Sequence, residues 1–164
     1  MEETTYLVLR ESNPVVLQVK GRAGYENCAP ARDFFQERRN AGYREFVVDL
    51  KDCRGVDSTF LGILAGLANA AAAKGGSLIL SRPGEWLLKN IQNLGLDRLL
   101  KIADSSYFES PSSSSSTLSG NAQNEFEQAK MILEAHENLI RSNPNTAPAF
   151  MDVVEFLKEH VAKK

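Results

Sequence analysis

The chain has 164 residues, 43% of them hydrophobic, which is enough for one compact domain with an appendage and too little for two full domains. A formal net charge of -2 without a basic run gives no bulk electrostatic drive toward nucleic acid or an anionic membrane.

The first five residues, Met1 to Thr5, are acidic and polar and lack the positive and apolar regions of a secretory signal. Thr5 to Arg10 and Val15 to Lys20 are rich in β-branched and apolar residues. Ser12-Asn13-Pro14 between them reads as a turn, so a β-hairpin is expected. Pro30 and Gly42 bracket a helix over Ala31 to Ala41, with Phe34 and Phe35 as its core anchors. The apolar run within Glu45 to Leu50 suits a strand covered on both faces. A loop over Lys51 to Asp57 then leads into a helix from Thr59 to about Lys74, ended by Gly75-Gly76. Its apolar stretch is shorter than the roughly 20 residues that span a bilayer, and Asn69 interrupts it, so no membrane insertion is expected. Ser77 to Leu80 (strand), Glu85 to Asn93 (helix) and Leu99 to Ala103 (strand) complete the order β-β-α-β-α-β-α-β. Strands alternating with helices imply an α/β domain with a largely parallel sheet and an antiparallel hairpin at its edge.

Composition changes after residue 104. Ser112 to Ser116 is an unbroken serine run between Pro111 and Gly120, and residues 105–120 read as a linker. Phe126, Ala129, Ile132, Leu133, His136, Leu139 and Ile140 then recur at helical spacing. Asn143-Pro144-Asn145 breaks that helix, and Phe150, Val153, Val154, Leu157 and Val161 mark another. Residues 121–164 are thus expected to form an α-hairpin appended to a domain of residues 1–104. Two short helices are marginal alone, so the hairpin must dock on the domain, or on a second copy to give a homodimer. Cys28 and Cys53 form no CxxC and stand near no histidine, so reduced thiols, no metal and a cytoplasmic location are expected.

Ser58 lies where open α/β sheets tend to carry their sites, in the loop beyond a strand's C-terminal end at a helix start. One reading makes Ser58 or Asp57 an N-cap. The other makes Ser58 a phosphoacceptor. Phosphate suits a helix N-terminus, and its added charge of about -1.5 to -2 would alter partner affinity without melting the helix. Gly62, Ala65, Gly66, Asn69 and Ala73 share one face of that helix. This small-residue strip either admits a close neighbour or receives a partner beside Ser58. Phe60 and Tyr25 are each either partner contacts or core aromatics.

The run Phe46-Val47-Val48-Asp49-Leu50 followed by Asp57-Ser58-Thr59-Phe60-Leu61-Gly62 resembles the signature of STAS domains. That family comprises anti-sigma factor antagonists and related domains of sulfate transporters. The opening hairpin, Gly21, Gly75-Gly76 and Leu94-Gly95-Leu96 agree, and the resemblance covers roughly residues 4–104. It implies a STAS-like mixed β-sheet with helices, and an anti-sigma factor antagonist switched by phosphorylation of Ser58. The kinase would be an anti-sigma factor with serine kinase activity, and a serine phosphatase would reset the cycle. Asp57 would orient the loop, and Thr59 would be a secondary acceptor. Phe60 departs from the glycine many members carry there, and Arg22-Ala23-Gly24-Tyr25 lacks their acidic pattern.

A catalytic serine is disfavoured because Val56-Asp57-Ser58-Thr59-Phe60 is no G-x-S-x-G elbow. Both histidines, His136 and His160, lie beyond the serine run on helices where surface or interface roles are expected. No P-loop or G-x-G-x-x-G supports nucleotide binding, and no cofactor is expected. The remaining alternative is a STAS scaffold or accessory subunit of a signalling or transport complex, in which Ser58 has a structural role.

Overall fold

The computed structural model describes residues 3–9, 11–104, 115–120 and 123–162. Met1, Glu2 and Arg10, most of the serine run (Ser112 to Ser114) and Pro111 lie outside the described residues.

Strands β1 (Thr5–Leu9) and β2 (Val15–Ala23) form the expected antiparallel hairpin, with Tyr6 opposite Val19 and Val8 opposite Leu17. Helix α1 (Ala29–Asn40) begins around Pro30 and buries Phe34 and Phe35. Strand β3 (Glu45–Asp49) is parallel to β2, and β5 (Ser77–Ser81) and β6 (Lys101–Ala103) add in parallel beyond it. Helices α2 (Ser58–Ala73) and α3 (Glu85–Asn93) make the crossovers from β3 to β5 and from β5 to β6. The sheet order is β6-β5-β3-β2-β1-β7.

Two strands were not expected. Within the stretch read as a loop, Cys53–Val56 forms β4, which runs parallel to the end of β2. β2 is longer than its apolar run because its register shifts after Gly21, whose φ of +93° favours glycine. Within the stretch read as linker, Ser115–Thr117 forms β7, antiparallel to β1. A serine run has little intrinsic strand preference, but its backbone groups pair with the free edge of β1 as well as any others.

One core dominates. Phe46, Val48, Leu78 and Leu80 of the sheet meet Phe34 and Phe35 of α1, Phe60, Leu64 and Leu67 of α2, and Leu87 and Ile91 of α3. The opposite sheet face carries a smaller cluster around Val16 and Val47. At the C-terminal end of β3 the Asp49 carboxylate is fully buried. It accepts from Arg82 at 2.7 Å, from Gln18 Nε2 at 3.3 Å and from the backbone N–H of Lys51 at 3.1 Å.

The C-terminal segment forms α4 (Glu125–Ser142), a short 3-10 turn (Pro144–Thr146) and α5 (Ala147–Ala162). Asn124 and Glu127 close a capping box at the start of α4. The hairpin docks on its own domain. Met131, Ala135 and Leu139 of α4 join the main core, and α2 against α4 is the most extensive helix–helix contact of the molecule. α5 packs on α4 through Val154 and Leu157 and leaves Phe156 exposed.

Candidate functional site

The site is built where β2 and β4 end side by side. Asp57 follows β4 and is the N-cap of α2: its Oδ1 accepts from the backbone N–H of Phe60 at 2.9 Å. Its Oδ2 accepts from the backbone N–H of Tyr25 at 2.9 Å, which ties the loop after β2 to the start of α2. Gly24 makes that reach feasible, since a Cβ there would lie 2.7 Å from Asp57 Oδ2. Asn27 organises the same loop. Its Oδ1 accepts from the Tyr6 hydroxyl at 2.8 Å and from Gly24 N at 3.1 Å, and its Nδ2 donates to Arg22 O and Thr4 Oγ1, both at 3.0 Å. Nothing in the sequence singled out Asn27, because its role depends on three segments meeting.

Because Asp57 takes the capping duty, Ser58 is the first residue of α2 with its hydroxyl free for another partner. That partner is His136 of α4: Ser58 Oγ and His136 Nε2 are 2.8 Å apart. The other ring nitrogen, Nδ1, lies 2.7 Å from the Ile132 carbonyl. A carbonyl only accepts, so Nδ1 carries a proton, and in the neutral ring Nε2 accepts from the Ser58 hydroxyl. His136 is buried and its ring meets Phe150 edge-on at 5.3 Å. The expectation that His136 has a surface or interface role resolves as an interface within the molecule. The periodicity of α4 indicated a docking face but not which residue would meet Ser58.

A serine, an imidazole and an acceptor on the far ring nitrogen are the parts of an activated nucleophile. Here Ser58 faces the packed side of α4. The 420 Å³ groove beside α4 is lined instead by residues such as Arg32, Arg39, Lys130 and Glu134, away from Ser58. The Phe60 N–H, a natural oxyanion donor at this turn, is held by Asp57.

The remaining expected site residues fall into two groups. Tyr25 is exposed at 43% beside the Asp57 loop, and its carbonyl accepts from Gln128 of α4. Phe60 is fully buried and stacks on Tyr6 with ring centroids 6.4 Å apart, so the partner-contact reading of Phe60 is corrected to a core role. Thr59 is also buried. The small-residue strip is covered by α4. A Cβ on Gly62 would lie 2.1 Å from the Ala135 carbonyl oxygen, and one on Gly66 would lie 2.4 Å from Asn138 Nδ2. Ala65 is buried, and Asn69 donates to the Ser142 hydroxyl at 3.0 Å. Of the two roles weighed for this strip, the structure displays close approach of a neighbouring helix.

Burial, and secondarily the Asp57 carboxylate, push the Cys28 thiol up to about 12. Cys53 is also raised by burial, and both thiols are free. Among the described residues no cluster of three or more His, Cys, Asp or Glu could hold a metal, and no helix is long and apolar enough to cross a membrane.

Comparison with known proteins places this geometry. Two curated candidate anti-sigma factor antagonists, from Thermotoga maritima and Thermotoga neapolitana, are each 31% identical over 70 residues, 43% of this chain and 62% of theirs. The chain thus spans less than two thirds of the length of these relatives. The crystal structure of a candidate anti-sigma factor antagonist from Thermotoga maritima superposes with a TM-score of 0.51 at 25% identity, covering 55% of this chain and 80% of that one. A family model described as "Mlab, STAS domain" matches residues 7–101, from within β1 to the first residue of β6. With more than half of the chain inside that match, and the strand–loop–Asp57-Ser58 unit in its expected place, the protein belongs to the STAS domain family.

Proposed function

We infer that the protein is an anti-sigma factor antagonist whose affinity for its partner is switched by phosphorylation of Ser58. The observation that carries this reading is the division of labour at the start of α2. Asp57 caps the helix, so the Ser58 hydroxyl is spared from backbone duty while sitting at the positive end of the helix dipole. A phosphate there would meet the positive end of the helix dipole and would set its charge beside Asp57, at the α2 face that α4 covers. The names of the relatives point the same way. The partner is an anti-sigma factor with serine kinase activity, and a serine phosphatase resets the protein. The role is regulatory rather than catalytic, and the location cytoplasmic.

Incubation of the purified chain with the serine-kinase anti-sigma factors of its own genome, followed by mass spectrometry, tests the reading. A single phosphate on Ser58, absent from Ser58→Ala, is expected. No modification by any native kinase, together with equal partner binding by Ser58→Ala and Ser58→Asp, overturns it. That outcome selects the second reading, a STAS scaffold or accessory subunit, which the Ser58–His136 hydrogen bond favours because it gives the serine a structural partner.

A further inference from the structure

The face of α2 that begins at Ser58 is occupied from within the molecule. Four successive positions each meet α4: Ser58 bonds His136, Gly62 lies against the Ala135 backbone, Gly66 lies under Asn138, and Asn69 bonds Ser142. Asn138 also donates to the Gly62 carbonyl at 3.2 Å, satisfying a backbone oxygen that the small side chains leave open. Two glycines in one helix are costly to helix propensity, and here both serve the approach of α4.

We propose that the α4–α5 hairpin is a removable cover on the Ser58 face, and that a phosphate on Ser58 and a docked α4 exclude one another. This rests on the reading of Ser58 as a phosphoacceptor and adds where its regulation sits. His136 Nε2 stands 2.8 Å from Ser58 Oγ, so a phosphoryl group on that oxygen takes the place of the hydrogen bond that ties α4 to the start of α2. The His136 ring cannot swing aside cheaply, being buried, bonded through Nδ1 to Ile132 and packed on Phe150. Nor can α4 yield by a small adjustment while keeping its other contacts. The Ala135 backbone already touches Gly62, and interfaces packed this closely shift between discrete arrangements rather than deform continuously. Two consequences follow. A kinase reaches Ser58 only in the uncovered fraction, so its apparent affinity is reduced by that fraction. Once phosphate is added, re-docking of α4 is blocked and the α2 face stays open.

The test uses the full-length chain with phosphoserine incorporated at position 58 during translation, so no kinase is needed. Hydrogen–deuterium exchange is compared between modified and unmodified chains. Peptides from α4 are the readout and peptides from β3 and β5 the folding reference. The expected result is exchange at least about tenfold faster throughout α4 in the modified chain, with β3 and β5 unchanged. In a His136→Ala background, which removes the ring in contact with Ser58 Oγ, the difference should shrink severalfold. Unchanged or slower exchange in α4 would mean that the phosphate is held beneath the cover and would overturn the proposal. Equal loss of protection in β3 and β5 would overturn it too, since the phosphate would then act on the whole domain. Because the phosphate is installed rather than transferred, failure of every native kinase to modify Ser58, with equal partner binding by Ser58→Ala and Ser58→Asp, would sink the proposed function and leave this result standing.

Discussion

Asp57 serves two backbones at once, capping α2 with one oxygen and holding the Tyr25 N–H with the other. Asp57→Ala is therefore expected to cost about 1–2 kcal/mol, the upper part of the range for a lost cap, because it frees donors in two loops. Urea unfolding measures this, and Asp57→Asn, which keeps one acceptor oxygen, should lose less. At the other residue-scale feature, Arg82 has a left-handed φ of 54° and pairs with the buried Asp49. Arg82→Ala leaves that carboxylate without its cation and should cost about 3 kcal/mol. Arg82→Gly removes the same charge but relaxes the backbone, and should be more stable than Arg82→Ala by about 1 kcal/mol in the same measurement. The cap was among the readings of the sequence, but the Tyr25 bond and the Asp49–Arg82 pair were not legible there. The Asp49–Arg82 pair joins the ends of β3 and β5, and it exists only once those strands lie side by side.

At the scale of elements, local signals and tertiary ones separate cleanly. Helix α2 could be read from residues 57–74 alone, with its cap narrowed to Asp57 or Ser58, since capping and periodicity act within a few residues. Strand β4 could not, because Cys53-Arg54-Gly55-Val56 has no alternation and pairs with a bulged extension of β2. For the same reason the glycines of α2 were visible as a strip, while the helix that covers them was not. Gly62→Ala separates the two contributions. In an isolated helix the change should stabilise by about 1 kcal/mol. Against the Ala135 backbone it forces an overlap that should cost about 1–3 kcal/mol. A net loss of stability, with faster hydrogen exchange in α4, is expected. Gly66→Ala should be milder, since it meets the movable end of the Asn138 side chain.

For the whole molecule, the buried ionisable groups set a limit on alkaline stability. Cys28 ionises near 9.0 when unfolded and only at about 12 when folded, so the unfolded chain loses this proton first. Tyr6, buried beside it, is raised from 10.0 in the same direction. Stability should hold up to about pH 9 and then fall steadily toward pH 12, by up to roughly 1.4 kcal/mol per pH unit for each group titrating only in the unfolded state. Thermal melts across that window measure the slope. Cys28→Ala should flatten its lower part, provided that the lost volume is discounted against the melt at pH 7.

Strand β7 gives the hairpin a fixed mooring. β6 ends the parallel half of the sheet at one edge, whereas β7 lies at the other, bonded to β1 immediately before the chain proceeds to α4. Leu118 N adds a further bond to Tyr6 O. Only residues 118–124 lie between β7 and α4, a tether of at most about 24 Å when fully extended. An undocked α4 that keeps this mooring therefore remains at an effective concentration on the order of millimolar near α2. A partner that binds the same face must outcompete that local supply, so its working affinity is set as much by the mooring as by its own contacts.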